Sequence, residues 1–311
     1  MIAIFESSLP IFLLIVLGIV LKRTPLVDRG VWHGLEEIGY FVLFPCLLFL
    51  TLYRADFSGM ELTKVAIGAL SCITVMFVLA YALWPALRIR GVSSAKYTAI
   101  FQTTTRWNSF VALAISDKLF GQEGLALTAL VMALIILPIN CVNVATLVWF
   151  NASNRNFATF LRRLITNPLI IAALAGVTLQ YIGLRIYGPV EKSLEMVSAS
   201  ALGMGLILVG AALRIRDTVR PRPMTLIAVA AKLLVYPLVM IATCLAAGLR
   251  GNELILLALI GSVPTAMNGY LLAKQMGSDA RLYATIATLQ TVASFLTIPL
   301  VLYLATYIAS G

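Results

Sequence analysis

The residues best able to do chemistry in this 311-residue chain cluster in one short segment, Gln102-Thr103-Thr104-Thr105-Arg106-Trp107-Asn108-Ser109. None of the eight is aliphatic, although apolar sequence flanks them on both sides. Arg106 stands out. A guanidinium keeps its proton, so in the middle of an apolar run it needs an anion or several polar partners. The thirteen acidic residues all fall in loops or at the ends of apolar runs, so none meets it at depth. A ligand that brings the negative charge is therefore expected, and a planar carboxylate matches the guanidinium fork. The competing account is that Arg106 bonds helix carbonyls or reaches a watery vestibule. Thr104, Thr105, Asn108 and Ser109 would line the same place.

A second segment has related character: Gly261-Ser262-Val263-Pro264-Thr265-Ala266-Met267-Asn268-Gly269. Pro264 removes a helix hydrogen bond and the glycines loosen the backbone, so a helix should break here. Pro264, Thr265 and Asn268 are expected at the site. Lys232 is the other charge inside an apolar run; it either draws anions inward or snorkels to the interface. Asn140, Asn143, Gln290 and Ser294 are candidate cavity residues, with glue between helices as their alternative role.

These residues need elements to hold them, and composition says which kind. The chain is 61% hydrophobic and 12% charged, where soluble domains carry about 25% charge. Ten apolar runs read as helical spans: 8–21, 35–53, 65–87, 97–120, 125–150, 168–184, 197–213, 226–249, 254–276 and 282–308. A helix is the form that satisfies its backbone in lipid. Glu6 and the lack of early basic residues do not suit a cleaved leader, so the first run is expected to be a span.

Fifteen basic residues fall in the odd-numbered loops and six in the even ones. By the positive-inside rule both termini lie on the outer face of the cell membrane. The net charge of +10 is thus mostly an orientation signal, and no nucleic-acid partner is expected. Cys46, Cys72, Cys141 and Cys244 sit in apolar runs without metal spacing; neither metal nor cofactor is expected. Intramembrane hydrolysis needs paired aspartates, a Ser–His pair or a metal cluster at depth, and none is present, so the chain is not expected to be an enzyme.

The halves 1–150 and 151–311 resemble each other at a shift of about 160 residues. Leu9-Pro10 through Gly18 aligns with Asn167-Pro168 through Gly176. Asn108-Ser109-Phe110 aligns with Asn268-Gly269-Tyr270, Pro138 with Pro299, and Pro45 with Gly205. Five spans per half is odd, so the halves must be inverted, as in carriers that alternate between two nearly equal states. The fourth and ninth spans would break and cross at mid-membrane. The seventh span, with Ala199, Gly203, Gly205 and Gly210, suits close helix packing or a dimer contact.

Phe44-Pro45, Asn167-Pro168, Lys232 with Pro237, Pro264-Thr265-Ala266 with Asn268, and Ile298-Pro299 make the whole chain resemble the auxin efflux carrier family of membrane transporters, in its compact bacterial malonate/malate permease-like form. The resemblance implies a scaffold of spans 1, 2, 6 and 7 and a mobile core of spans 3–5 and 8–10. It also implies elevator-like transport of a mono- or dicarboxylate and a homodimer. The chain departs from the family pattern at Thr105-Arg106-Trp107-Asn108-Ser109, where a break bearing glycine and proline is usual, and at Gly203 and Gly205, where proline is common. A sodium-coupled carrier resembling the bile-acid symporters and a membrane receptor or sensor are the alternatives. His33, the one histidine, falls in a loop, and Glu36 and Glu37 are the nearest titratable groups for coupling.

Overall fold

A computed structural model describes residues 2–28, 30–151, 166–215 and 223–310. Of the basic residues that set the expected orientation, Arg29, Arg155, Arg162, Arg163, Arg216, Arg220 and Arg222 lie outside the described residues.

Among the described residues the chain is helical, with no strand. The helices are α1 (Ile2–Arg23), α2 (Val31–Ile38), α3 (Phe44–Tyr53), α4 (Leu62–Ile89), α5 (Ser94–Thr105), α6 (Ser109–Asn151), α7 (Pro168–Tyr181), α8 (Gly188–Ala199), α9 (Ala201–Ala212), α10 (Pro223–Ala230), α11 (Tyr236–Ala246), α12 (Gly251–Ser262), α13 (Gly269–Gln275) and α14 (Ala280–Ser310). Six helical runs among the described residues are long and apolar enough to cross a membrane, and α7 and α12 are shorter apolar helices. One run, Ser94–Asn151, covers both the fourth and fifth expected spans. The chain turns within it at Gly121, whose φ of 59° favours glycine.

Apolar residues face outward as well as inward. Leu13, Val16, Leu17 and Val20 form an exposed stripe on α1, and Val292, Leu296, Leu300 and Tyr303 another on α14. A water-soluble protein does not expose such stripes; lipid tails accept them. The polar residues are gathered at the centre instead. Every residue from Tyr97 to Asn108 is buried, and so is every one from Leu256 to Thr265. The two segments with chemical potential thus occupy the middle of the bundle.

Glycines set how closely the outer helices approach. A Cβ on Gly18 would strike the Ile207 carbonyl, and one on Gly210 would strike the Ile15 carbonyl, so α1 and α9 pack backbone to backbone. A Cβ on Gly176 would strike the Phe49 carbonyl between α7 and α3. A single shift of 158 residues carries Gly18 onto Gly176 and Phe49 onto Ile207. The expected close packing of the seventh span therefore falls at Gly210, and at Gly205 against the Phe44 ring, while a Cβ on Gly203 would meet nothing within 4 Å among the described residues.

Two features differ from the sequence reading. The helix leading into the seventh span starts at Gly188, not near 197, because α8 carries Glu191, Lys192 and Glu195 and hydropathy misses it. Glu191 and Glu195 accept hydrogen bonds from Arg54 at 2.7 and 3.1 Å, tying α8 to the end of α3. Second, π-helical turns at Gly39–Leu43 and Ala231–Val235 run directly into the helices holding Pro45 and Pro237. Proline cannot donate to the preceding turn, and a wider turn accommodates its ring.

Candidate functional site

The helix α5 ends without proline or glycine. Arg106 keeps a helical φ of −78°, but its ψ swings to 160°, and helix resumes at Ser109. Three threonines soften the last turn. The hydroxyl of Thr103 donates to the Ala99 and Ile100 carbonyls, that of Thr104 to Ile100 and Phe101, and that of Thr105 to Phe101. Such back-bonding competes with the backbone ladder and bends helices. Beyond the break, Asn108 caps α6: its Oδ1 accepts from the backbone N–H groups of Phe110 and Val111.

The second break follows Ser262, where Val263 turns extended at ψ 150°. Pro264 has no N–H to offer, and its carbonyl accepts the Asn108 N–H at 2.8 Å. The two interrupted helices therefore touch at their breaks through the backbone. Gln290 of α14 fastens them further. Its Oε1 accepts from the Thr265 N–H at 3.0 Å, and its Nε2 donates to the carbonyls of Thr103 and Ala228 at 3.0 and 3.2 Å. The Tyr283 hydroxyl donates to the Ala266 carbonyl, and a Cβ on Gly269 would collide with that hydroxyl.

Arg106 lies inside this arrangement, 8% exposed. Its Nη1 donates to Asn140 Oδ1 at 3.0 Å. Its Nε and Nη2 are buried and have no hydrogen-bond partner among the described residues. These two nitrogens point the same way from the guanidinium and form the side-on fork that binds a carboxylate with two parallel bonds. The ion pairs among the described residues are all at exposed or partly exposed positions, and none involves Arg106.

The remaining expected residues divide. Thr105 and Asn143 are buried and bonded to each other at 3.2 Å, and the Asn140 and Asn143 amide nitrogens each donate one turn back along α6. Thr104 bonds its own helix, and so does Ser294 through Thr291. Ser109 is half-buried. Asn108 is 1% exposed, but Asn268 is exposed and makes no capping bond, so the two asparagines do not share one environment. Lys232 does not snorkel: it is 0% exposed. Its Nζ donates to the Gly261 carbonyl at 3.4 Å and sits 3.6 Å from the Tyr236 ring centre.

Two residues were not singled out from the sequence. Tyr283 lacked any signal, because a tyrosine in an apolar helix is ordinary. Gln102 had one: it stands four residues before Arg106 in the same polar run. It is 0% exposed, and neither its Oε1 nor its Nε2 has a partner among the described residues.

A family model described as membrane transport protein matches residues 155–302. A protein named as an uncharacterized transporter of Methanothermobacter thermautotrophicus is 26% identical over 297 residues, covering 95% of this chain and 96% of the relative.

Proposed function

We propose that the chain is a transporter of the auxin efflux carrier family, in line with the membrane transport protein model and the transporter it matches, and that it carries a small carboxylate across the cell membrane, with Arg106 as the anion receptor. One observation carries the reading: a buried arginine whose side-on fork has no partner among the described residues. Leaving two buried donors of a charged group unpaired is costly, and a carboxylate satisfies both at once. Thr105, Asn108, Ser109, Pro264 and Thr265 surround or position that receptor.

Transport would use two inverted sets of five spans, with both termini outside. The glycine contacts support this in two ways. They recur at one sequence shift, and they join α1 to α9 and α3 to α7, the helices assigned to the scaffold. The bonds of Gln290, Tyr283 and Lys232 instead stay within the helices assigned to the moving core. Two bodies with dense internal ties suit an elevator-like motion of one along the other.

The test is ligand stabilisation of the purified chain. Small carboxylates should raise its unfolding temperature, since a ligand bound only by the folded form stabilises it by mass action. Arg106→Ala should lose that response while still inserting in the membrane. Uptake that survives in Arg106→Ala would end the anion-receptor reading. Cysteine placed at residue 30 in a cysteine-free background should label from the cytoplasmic side; labelling from outside would reverse the orientation.

A further inference from the structure

Gln102 lies directly beneath Arg106. The Arg106 N–H donates to the Gln102 carbonyl at 2.9 Å, the i to i+4 bond of a helix, and the Arg106 φ is still helical. Their Cβ atoms therefore share one face, about 5–6 Å apart. Side chains on a helix lean towards its N-terminus, which inclines the arginine towards the glutamine's side of the helix. The neighbouring polar groups are already engaged: Thr103, Thr104 and Thr105 with their own helix, Asn143 with Thr105 and Ile139, and Asn140 with Arg106 and Ile136. That leaves two kinds of unmet demand on this face. Arg106 presents two donors with charge. Gln102 presents one donor and one acceptor without charge.

Resting on the carboxylate reading above, we propose that the substrate is a small monocarboxylate bearing a hydroxyl on a carbon next to, or one beyond, the carboxylate, and that Gln102 reads this hydroxyl. The hydroxyl accepts from Gln102 Nε2 and donates to its Oε1, while the carboxylate takes the Arg106 fork. A second ionised carboxylate in that place would only accept, so it would face the Gln102 carbonyl oxygen without a proton to share. It would also lack a second cation. Lys232 is directed at the Gly261 carbonyl and Tyr236, and the Arg214 guanidinium is exposed and bonded to Tyr270. Sites built around a substrate hydroxyl discriminate strongly against the analogue that lacks it, because their own polar groups are then left unpaired.

The experiment is calorimetric titration of the purified full chain with three anions: propanoate, 2-hydroxypropanoate and propanedioate. The hydroxy acid should bind at least about tenfold more tightly than propanoate, and propanedioate should bind no better than propanoate. In Gln102→Met, a change of similar volume, the preference for the hydroxy acid over propanoate should vanish. Equal binding of all three anions to the unaltered chain, or tightest binding of propanedioate, overturns the hydroxyl reading alone. So does a preference that survives in Gln102→Met. Failure of every anion to bind overturns the carboxylate reading, and this one with it.

Discussion

The two interrupted helices meet at one point but are broken by opposite means. The break after Ser262 follows the familiar recipe: a proline without an N–H, and a glycine at 269 where the Tyr283 hydroxyl leaves no room for a Cβ. The break after Thr105 has neither residue. Threonines bonded back along α5 weaken its end, and Arg106 leaves the helix at ψ 160°. Broken by backbone chemistry, the second segment frees main-chain groups, and the rest of the protein satisfies them. Its freed groups are taken up by Asn108, Gln290, Tyr283 and Lys232. Broken by side chains, the first segment keeps two nitrogens of a guanidinium and a whole side-chain amide buried without a partner among the described residues. One break has its freed groups satisfied by the protein, and the other keeps buried donors unmatched among the described residues.

The contrast can be attacked first where it is strongest. Arg106→Ala should lower carboxylate uptake in proteoliposomes by about a hundredfold or more, since two charge-assisted bonds of roughly 1.5–3 kcal/mol each are lost. Arg106→Lys should not restore it, because an ammonium has no side-on fork. A lysine variant with near-normal uptake would show that charge alone matters.

Gln290→Leu tests the other side. It strips partners from the Thr265 N–H and the Thr103 and Ala228 carbonyls together. At about 1 kcal/mol or more for each buried group, the unfolding midpoint in detergent should fall by roughly 5 °C. An unchanged midpoint would mean that the breaks are held by packing around them and not by this amide.

Much of this was legible before any coordinates. Both breaks, the depth of Arg106 and the absence of an acid beside it follow from residue type and position in the run. What the sequence could not supply is direction. Lys232 near the end of a span reads equally as a snorkelling or an inward residue; a π-helical turn at Ala231–Val235 goes with its inward position, and π turns leave no period-3.6 signature. Gln290 read equally as a lining residue or as glue between helices, because an amide in an apolar helix has no address until the chain is folded. The start of α8 was hidden for a simpler reason: its charged residues are solvated, and hydropathy registers only what lipid would accept.

The paired asparagines give a smaller effect with a clear sign. Repeat symmetry treats Asn108 and Asn268 alike, whereas burial separates them. Asn108→Ala should cost about 1 kcal/mol of stability as a lost cap and impair uptake by disturbing α6. Asn268→Ala should lie within about 0.5 kcal/mol of the unaltered chain, as surface changes usually do. Equal effects at the two positions would restore the symmetric site that the sequence suggests.

The smallest effect should come from the residue with the second charge. If Lys232 were a substrate ligand, removing its ammonium would weaken anion binding much as Arg106→Ala does. The structure instead directs Nζ at the carbonyl of Gly261, the residue before the last of α12, with the Tyr236 ring on its other side. An ammonium there offsets the negative end of the α12 dipole and serves the held break. Lys232→Met keeps most of the side-chain volume and removes the charge. Carboxylate affinity should then stay within about twofold, while the unfolding temperature of the ligand-free protein shifts. Loss of affinity without a change in unfolding would place Lys232 on the ligand side, and the division of labour between the two breaks would fail at that residue.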